Sequence, residues 1–312
     1  MRIPVDSVKV VEVGARDGLQ NEKVTIPTDV KVAFITALAD AGLRVIEAGA
    51  FVSPKWVPQM ADTAEVYREI PKDPGIDFPV LVPNMKGLER AIEAGVQSIA
   101  IFTAASDTFN KRNINMTIDE SFANYAPVAA RARSENMRIR GYVSTAFGCP
   151  YEGDVPPEKV LEVSARLLDL GCYEVSVGDT IGVGTPMQAQ GVIGVLLQVI
   201  PPNRLAMHFH DTRGTALANT LAALEMGIAT FDTSSGGLGG CPYAPGASGN
   251  LATEDLLYML EKMGIETGVS LERVVAASSI VAPYLDHPLP GRYLQACSRS
   301  AAKPVSGSAA VQ

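Results

Sequence analysis

The pattern that best predicts the fold of this 312-residue chain lies at residues 204–237, RLAMHFHDTRGTALANTLAALEMGIATFDTSSGG. Two short runs rich in apolar and aromatic residues, at 204–211 and 230–237, enclose an alanine- and leucine-rich stretch that ends in Met226-Gly227. The outer runs predict strands, and the stretch between them predicts a helix. Because a glycine at a helix end allows a short loop into the next strand, the segment indicates one β-α-β unit.

The same alternation recurs along the whole chain. Runs that predict strands lie at residues 8–17, 44–50, 79–84, 98–106, 138–145, 173–180, 204–211 and 230–237. They begin on average about 32 residues apart, which is the length of one strand and one helix with their loops. Eight such units predict an α/β protein with a single (β/α)8 TIM barrel. An open doubly wound sheet is the alternative, but it usually has a G-x-G-x-x-G turn after its first strand, and none occurs there.

The barrel pattern predicts one catalytic domain over residues 1–300. Its barrel would span about residues 8–250, and about residues 251–290 would form extra C-terminal helices. The last stretch, 301–312, consists mostly of small and polar residues, so we expect a disordered tail there.

Composition limits the class of function. The chain is 47% hydrophobic and 19% charged, with a net charge of −8 and an isoelectric point near 5.0. It has no long run of Lys and Arg, so we expect a small-molecule substrate and neither nucleic acid nor membrane as a partner. No export signal and no apolar stretch of the roughly 20 residues that a membrane span needs are visible, which predicts a cytoplasmic protein.

His208-Phe209-His210 is the sharpest local signal. Side chains two positions apart on a strand face the same side, so both imidazoles can reach one ion. Asp17, at the end of the first predicted strand, would add a carboxylate, and two histidines with a carboxylate suit a catalytic divalent cation. The alternatives are a packed or hydrogen-bonded histidine pair and a salt bridge between Asp17 and Arg16.

A glycine-rich segment, GGLGGCPYAPGASGN at residues 236–250, follows the last predicted strand. Its six glycines and two prolines exclude a continuous helix or strand. Because TIM barrels carry their active sites at the C-terminal ends of the strands, the segment predicts a glycine-rich active-site loop that brings Cys241 to the site. A flexible linker with a buried structural cysteine is the alternative.

Longer motifs resemble the hydroxymethylglutaryl-CoA lyases, which belong to a family of metal-dependent lyase and synthase barrels. The resemblance covers about residues 8–270, and its motifs lie at residues 11–23, 51–62, 140–153, 171–186, 208–227 and 234–260. The run GLGGCPYA-GASGNLATED is the most specific of them, because the related isopropylmalate and homocitrate synthases lack this cysteine loop. Two positions depart from the pattern: EAGAF at 47–51 replaces a hydroxyl-rich segment, and Arg213 replaces a frequent tyrosine.

This resemblance implies a retro-Claisen cleavage of 3-hydroxy-3-methylglutaryl-CoA into acetyl-CoA and acetoacetate, as in leucine degradation, aided by Mg²⁺ or Mn²⁺. The implied assembly is a homo-oligomer, a dimer. The implied metal ligands are Asp17, His208, His210 and Asn250. The implied catalytic residues are Arg16, Glu47, Asp179, His208 and Cys241, with Arg16 and Gln20 in contact with the substrate.

The sequence leaves several alternatives open. The base that takes the hydroxyl proton could be His208, Asp17 or a water molecule held by the cation. Lys55, Lys111 and Arg112 could bind the CoA phosphates, or could be ordinary solvated residues. A condensing synthase or aldolase-type lyase on the same barrel is the second enzymatic hypothesis, and a barrel that binds metal or acyl-CoA without turnover is the third.

Overall fold

The structure is a computed structural model, and it describes residues 3–240 and 249–301. The strand segments β1 to β9 are Lys9–Glu12, Val45–Ile46, Gly49–Ala50, Val80–Leu81, Ser98–Ala104, Arg138–Ser144, Glu174–Asp179, Leu205–Phe209 and Thr230–Thr233. The helices α1 to α11 are Thr28–Asp40, Thr63–Glu69, Met85–Glu93, Asp107–Ile114, Ile118–Ser134, Pro157–Asp169, Pro186–Leu196, Ala216–Glu225, Thr253–Met263, Leu271–Val281 and Arg292–Ala301.

The strands form one parallel barrel, which confirms the predicted fold. Their order is β2-β1-β9-β8-β7-β6-β5-β4-β3, and every pairing in it is parallel. β2 and β3 are two pieces of the single strand predicted at 44–50, separated by Glu47 and Ala48. The barrel closes at these two residues, because Glu47 N donates to Glu12 O of β1 at 2.8 Å and Ala48 N donates to Pro79 O, next to β4, at 3.0 Å.

The strand predicted at 8–17 is too long. β1 ends at Glu12, and Arg16 and Asp17 lie in a single π-helical turn, Gly14–Gly18. A Cβ atom on Gly14 would lie 2.5 Å from Glu12 Oε1, so the tight path into this turn requires glycine. Single π-helical turns are frequent at functional sites. This one turns the chain so that Arg16 and Asp17 face the open end of the barrel.

The seventh and eighth predicted strands also end earlier than expected. β8 stops at Phe209, so His210 lies one residue beyond it, in an isolated antiparallel bridge with Asn250. After β9 the chain turns through a short 3-10 segment at Ser235–Gly237. β9 ends early because the chain leaves the barrel wall there and continues into the glycine-rich segment. The two histidines still face the same side, with ring centroids 5.2 Å apart.

The helices form the outer layer of the barrel. Gly42 ends α1 with a φ of 105°, and a Cβ there would lie 2.3 Å from Gly268 O, so the short loop into β2 requires glycine. α9 and α10 fall in the predicted C-terminal helical region, α11 follows it, and α10 packs against α1. Within the described part of the chain, no helix combines the length and apolarity needed to cross a bilayer. The domain limit at residue 300 stays a prediction, and residues 302–312 lie outside the described residues.

Two buried carboxyl groups support the start of the segment that follows β9. Glu12 accepts hydrogen bonds from Gly14 N and Ser235 N, at 2.7 and 2.9 Å, and from Thr253 Oγ1 at 2.6 Å. Glu254 accepts from Gly236 N at 2.8 Å. Burial raises the pKa of Glu12 to about 8 and that of Glu254 to about 7, although these hydrogen bonds oppose the shift. Both groups therefore hold protons in the folded protein at pH values where the unfolded chain has lost them.

We expect Glu12→Gln to flatten the dependence of stability on pH. Between about pH 5 and 8 the folded state holds a proton on Glu12 that the unfolded state has released, so the free energy of unfolding of the natural protein falls as the pH rises. Glutamine mimics the neutral acid, because its oxygen can accept from both backbone N–H groups and its amide can donate to Thr253. Relative to the natural protein, the variant should gain about 2 to 3 kcal/mol between pH 6 and 8.

Urea titrations at several pH values measure this effect. Glu93→Gln, on the exposed part of α3, is the control and should follow the natural protein. Parallel curves for the natural protein and Glu12→Gln would show that Glu12 is ionised in the folded state.

Candidate active site

A cavity of about 180 Å³ opens at the C-terminal ends of the barrel strands. Part of its wall is apolar and comes from Leu81, Phe102 and Val143 on neighbouring strands. Its polar lining includes Arg16, Asp17, Gln20, Asn21, Asn113, Ser144, Thr180, His208 and His210. The cavity therefore gathers, in one place, residues that the sequence spreads over nearly two hundred positions.

Asp17, His208 and His210 come together as predicted. Each offers one ligand atom, and these atoms all lie within 4.8 Å of one another. Nε2 of His208 and Nε2 of His210 are 3.1 Å apart. Asn250 reaches the same place because residues 249–251 pair with the end of β8, and its Nδ2 donates to Asp17 Oδ2 at 3.0 Å.

The donor set fits a divalent cation. Asn250 Oδ1 is buried and accepts no hydrogen bond from the described residues, whereas Nδ2 of the same amide donates to the Asp17 carboxylate. Two imidazole nitrogens, a carboxylate oxygen and an amide oxygen are ligands that catalytic metal ions accept. An ion among these four side chains would engage the unused amide oxygen and separate the two facing nitrogens.

The charge state of the cluster also suits a cation. Burial would raise the pKa of Asp17, but Arg16 and the two histidines lower it to about 2, so the carboxylate is ionised near pH 7. Burial lowers the pKa of His210, and His208 lowers it further, to about 3. His210 is therefore neutral and keeps a lone pair for a ligand bond.

Arg16 lies beside this cluster with its guanidinium fixed from two sides. It is only 7% exposed, and its Nη1 pairs with Asp17 Oδ1 at 2.6 Å. Its Nε and Nη2 both lie 2.6 Å from Glu47 Oε2, and Glu47 is fully buried. These carboxylates outweigh the effect of burial and raise the pKa of Arg16 further. The result is a permanent cation held rigidly against the cavity.

Beneath the cavity lies a buried charge network that the sequence did not reveal. Arg140 of β6 is fully buried and pairs with Asp232 of β9 at 2.7 Å and with Glu174 of β7 at 2.9 Å. Asp232 Oδ2 in turn lies 3.3 Å from His208 Nδ1. Because a carboxylate only accepts, Nδ1 carries a proton, and Nε2 is the nitrogen that faces the cluster.

The remaining predicted residues occupy different positions. Gln20 lines the cavity, and its buried Oε1 accepts no hydrogen bond from the described residues. Asp179 is buried outside the cavity lining, and its oxygens accept from Val183 N and Gly184 N at 3.0 and 2.9 Å, so it holds the loop after β7. Cys241 lies outside the described residues.

The three candidate cations for CoA lie on the surface. Lys55, Lys111 and Arg112 are exposed, and the Arg112 guanidinium lies 4.2 Å from the centre of the Tyr151 ring. Lys111 and Arg112 belong to α4, the helix that also supplies Asn113 to the cavity lining. The structure thus puts two of the three on an element that borders the cavity.

Comparison with known proteins identifies close relatives over nearly the whole chain. The HMGL-like family model matches residues 7–281. The mitochondrial hydroxymethylglutaryl-CoA lyase of Macaca fascicularis is 55% identical over 289 residues, which cover 93% of this chain and 89% of the relative. Curated relatives of this kind include both mitochondrial and cytoplasmic forms.

Solved structures give the same result. The hydroxymethylglutaryl-CoA lyase from Pseudomonas aeruginosa superimposes with a TM-score of 0.93 at 49% identity, covering 95% of this chain and 99% of that one. An HMG-CoA lyase from Acinetobacter baumannii, solved in complex with coenzyme A and 3-methylmalate, matches with a TM-score of 0.89 at 38% identity and full coverage of both chains. The carboxyl transferase domain of Rhizobium etli pyruvate carboxylase, at 17% identity and a TM-score of 0.65, shares the fold alone.

Proposed function

The chain belongs to the HMGL-like family, and on that premise we propose that its cavity cleaves 3-hydroxy-3-methylglutaryl-CoA into acetyl-CoA and acetoacetate. The observation that carries the proposal is the meeting of Asp17, His208 and His210 beside Arg16 in one cavity. A condensing synthase is not favoured, because the curated relatives at about 55% identity are lyases.

A divalent cation is the cofactor of this proposal, held by Asp17, His208, His210 and Asn250. When bound, the cation would lower the pKa of the substrate's C3 hydroxyl and fix its orientation. The oxygen ligands from Asp17 and Asn250 favour Mg²⁺ or Mn²⁺ among the candidates. A homodimer and a cytoplasmic location complete the proposal.

Arg16 has the most direct chemical task. A base takes the proton of the C3 hydroxyl, for which His208, Asp17 and a water molecule are the candidates, and C3 becomes the ketone carbon of acetoacetate. The electron pair of the broken C2–C3 bond passes to the thioester as an enolate, so negative charge develops on the thioester oxygen. A guanidinium that Glu47 and Asp17 already hold in place can stabilise this charge without reorganising during the reaction. Gln20 Oε1, which is buried beside it without a partner among the described residues, can accept a hydrogen bond from the substrate.

Cys241 supplies the last proton in this scheme. Gly240 lines the cavity, and Asn21 Nδ2 donates to its carbonyl oxygen at 3.1 Å, so the chain enters the glycine-rich segment at the cavity. Cys241 is the next residue. Its thiol would give a proton to the enolate carbon, which completes acetyl-CoA, and the thiolate would regain, through solvent, the proton that the base took from the C3 hydroxyl.

We expect Cys241→Ala to fold and to bind Mn²⁺ normally but to lose turnover by about 10²-fold, the lower end of the range for general-acid catalysis. Steady-state rates of acetoacetate release measure the loss. Cys149→Ala is the matched control, because Cys149 is buried with its Sγ 3.0 Å from Ser106 Oγ and does not line the cavity. A Cys241→Ala variant with near-normal kcat would remove this thiol from the mechanism.

Product analysis tests the proposed function itself. Incubation with 3-hydroxy-3-methylglutaryl-CoA should release acetoacetate and acetyl-CoA in equal amounts, whereas acetyl-CoA with a 2-oxo acid should give no condensation. Condensation without cleavage would make the protein a synthase. Binding of the CoA ester without either reaction would make it a binding protein and overturn the proposal.

A further inference from the structure

Arg140 contacts two residues that support different parts of the site. Asp232 faces His208, and Tyr142 contacts Glu47, which holds Arg16. Arg140 is the largest of the fully buried side chains among the described residues. Its guanidinium donates to Glu174 Oε1 at 2.9 Å, to Asp232 Oδ1 and Oδ2 at 2.7 and 3.2 Å, and to Tyr142 Oη at 2.6 Å. A buried cation with this many partners has its orientation fixed by three strands of the barrel.

The first arm of the network leads to the metal ligands. Arg140 forms a forked pair with both oxygens of Asp232, and Ser176 Oγ donates to Asp232 Oδ2 at 2.6 Å. Asp232 Oδ2 in turn accepts a hydrogen bond from His208 Nδ1 at 3.3 Å and so sets which nitrogen of His208 faces the cluster.

The second arm leads to the catalytic cation. Tyr142 Oη accepts from Arg140 and donates to Glu47 Oε1 at 2.7 Å, and the other oxygen of Glu47 holds Arg16. The Tyr142 ring centre also lies 4.9 Å from Arg140 Cζ and 5.6 Å from Arg16 Cζ. Although the Tyr142 ring lines the cavity, its hydroxyl donates its hydrogen to Glu47.

We propose that Arg140 is a positioning residue whose single guanidinium orients His208 through Asp232 and Arg16 through Tyr142 and Glu47. Only the part of this inference that concerns Arg16 rests on the proposed function. The part that concerns His208 depends on metal binding and not on the reaction. Lysine cannot replace Arg140, because an ammonium group lacks the planar fork that meets Asp232 and Tyr142 together.

Two single substitutions separate the arms. Tyr142→Phe keeps the ring and removes the hydroxyl bridge, so kcat should fall at least tenfold while the Kd for Mn²⁺ changes less than about twofold. Asp232→Asn should raise the Kd for Mn²⁺ by about 10- to 100-fold, the usual effect of losing an outer partner of a ligating histidine. Arg140→Lys should produce both effects at once. Ser176→Ala, which removes one hydrogen bond to Asp232, gives a milder form of the metal effect if Asp232→Asn does not fold.

A double-mutant cycle distinguishes positioning from a direct contact with substrate. If Tyr142 acts through Glu47, the kcat of the pair Tyr142→Phe and Glu47→Gln should be no lower than that of the worse single variant. Tyr67→Phe is the matched control, since Tyr67 is buried and lies outside the cavity lining, and its hydroxyl accepts a hydrogen bond only from Gln97 N among the described residues. Its kcat and metal Kd should equal those of the natural protein.

Calorimetric titration with Mn²⁺ and steady-state kinetics on the same preparations give clear outcomes. Additive losses in the cycle, a normal kcat for Tyr142→Phe, or a normal metal Kd for folded Asp232→Asn and Ser176→Ala would each overturn the inference. If the natural protein releases no acetoacetate, the proposed function fails instead, and the metal titrations still decide the part that concerns His208.

Discussion

Replacing Arg16 by glutamine is expected to lower kcat for 3-hydroxy-3-methylglutaryl-CoA by about 10³-fold. The substitution removes the cation that faces the developing enolate charge, and the loss of one preorganised group of this kind costs about 10²- to 10³-fold. Mn²⁺ should bind as tightly as before or more tightly, because the positive charge 2.6 Å from Asp17 Oδ1 disappears. Steady-state kinetics and metal calorimetry on one preparation separate the two effects.

A second variant keeps the role of Arg16 testable if Arg16→Gln does not fold. Arg16→Gln leaves the fully buried Glu47 without its cation, which can cost about 3 to 5 kcal/mol of stability. Arg16→Lys keeps the charge but loses the two-nitrogen contact with Glu47, so it should fold better and still lose most of kcat. Arg131→Gln, at a half-exposed pair on α5, is the control. Normal turnover in both folded Arg16 variants would contradict the assigned role.

His210→Ala is expected to weaken Mn²⁺ binding by more than 10²-fold. The variant removes a neutral imidazole whose Nε2 lies 3.1 Å from that of His208, so the site keeps three of its four proposed ligands, Asp17, His208 and Asn250. Loss of an outer partner costs 10- to 100-fold in affinity, and loss of a ligand should cost more. Calorimetric titration measures the change directly.

The remaining histidine of the chain supplies the control. His287 is 43% exposed in its side chain and pairs with Glu22 at 3.0 Å, in a separate surface group with Asp286. His287→Ala should therefore leave Mn²⁺ binding at Asp17, His208 and His210 unchanged. Excess Mn²⁺ should also restore part of the turnover of His210→Ala, since the substitution does not touch Arg16. An unchanged affinity in His210→Ala would show that the two histidines form a hydrogen-bonded pair and no metal site.

The barrel could be predicted because its signals are local. Each strand is a short apolar run, several helices end at a glycine such as Gly42, Gly171 or Gly227, and the spacing between successive strands repeats seven times. The ends of strands were less predictable. The π-helical turn at Gly14–Gly18 depends on Glu12 Oε1 and on the approach of the segment after β9, which no local pattern contains.

The cluster of Asp17, His208 and His210 was also predictable, since i and i+2 residues on a strand must face one side. The buried charge network of Arg140 beneath this cluster was not predictable. Arg140 and Asp232 are 92 residues apart, and a charged residue in the middle of an apolar strand gives only the weak signal that it needs a buried partner. Which partner it finds depends on the order of strands around the closed barrel.

Acetoacetate release from 3-hydroxy-3-methylglutaryl-CoA, measured before and after removal of divalent cations with EDTA, determines whether the protein is a cation-dependent lyase. The assay needs the purified full chain, dialysis to remove the chelator, and re-addition of Mg²⁺ or Mn²⁺. We predict that turnover is lost on chelation and returns with the cation, while His210→Ala recovers only at much higher cation concentration. Turnover that persists unchanged in EDTA, or a cation-loaded protein that releases no acetoacetate, would contradict the account.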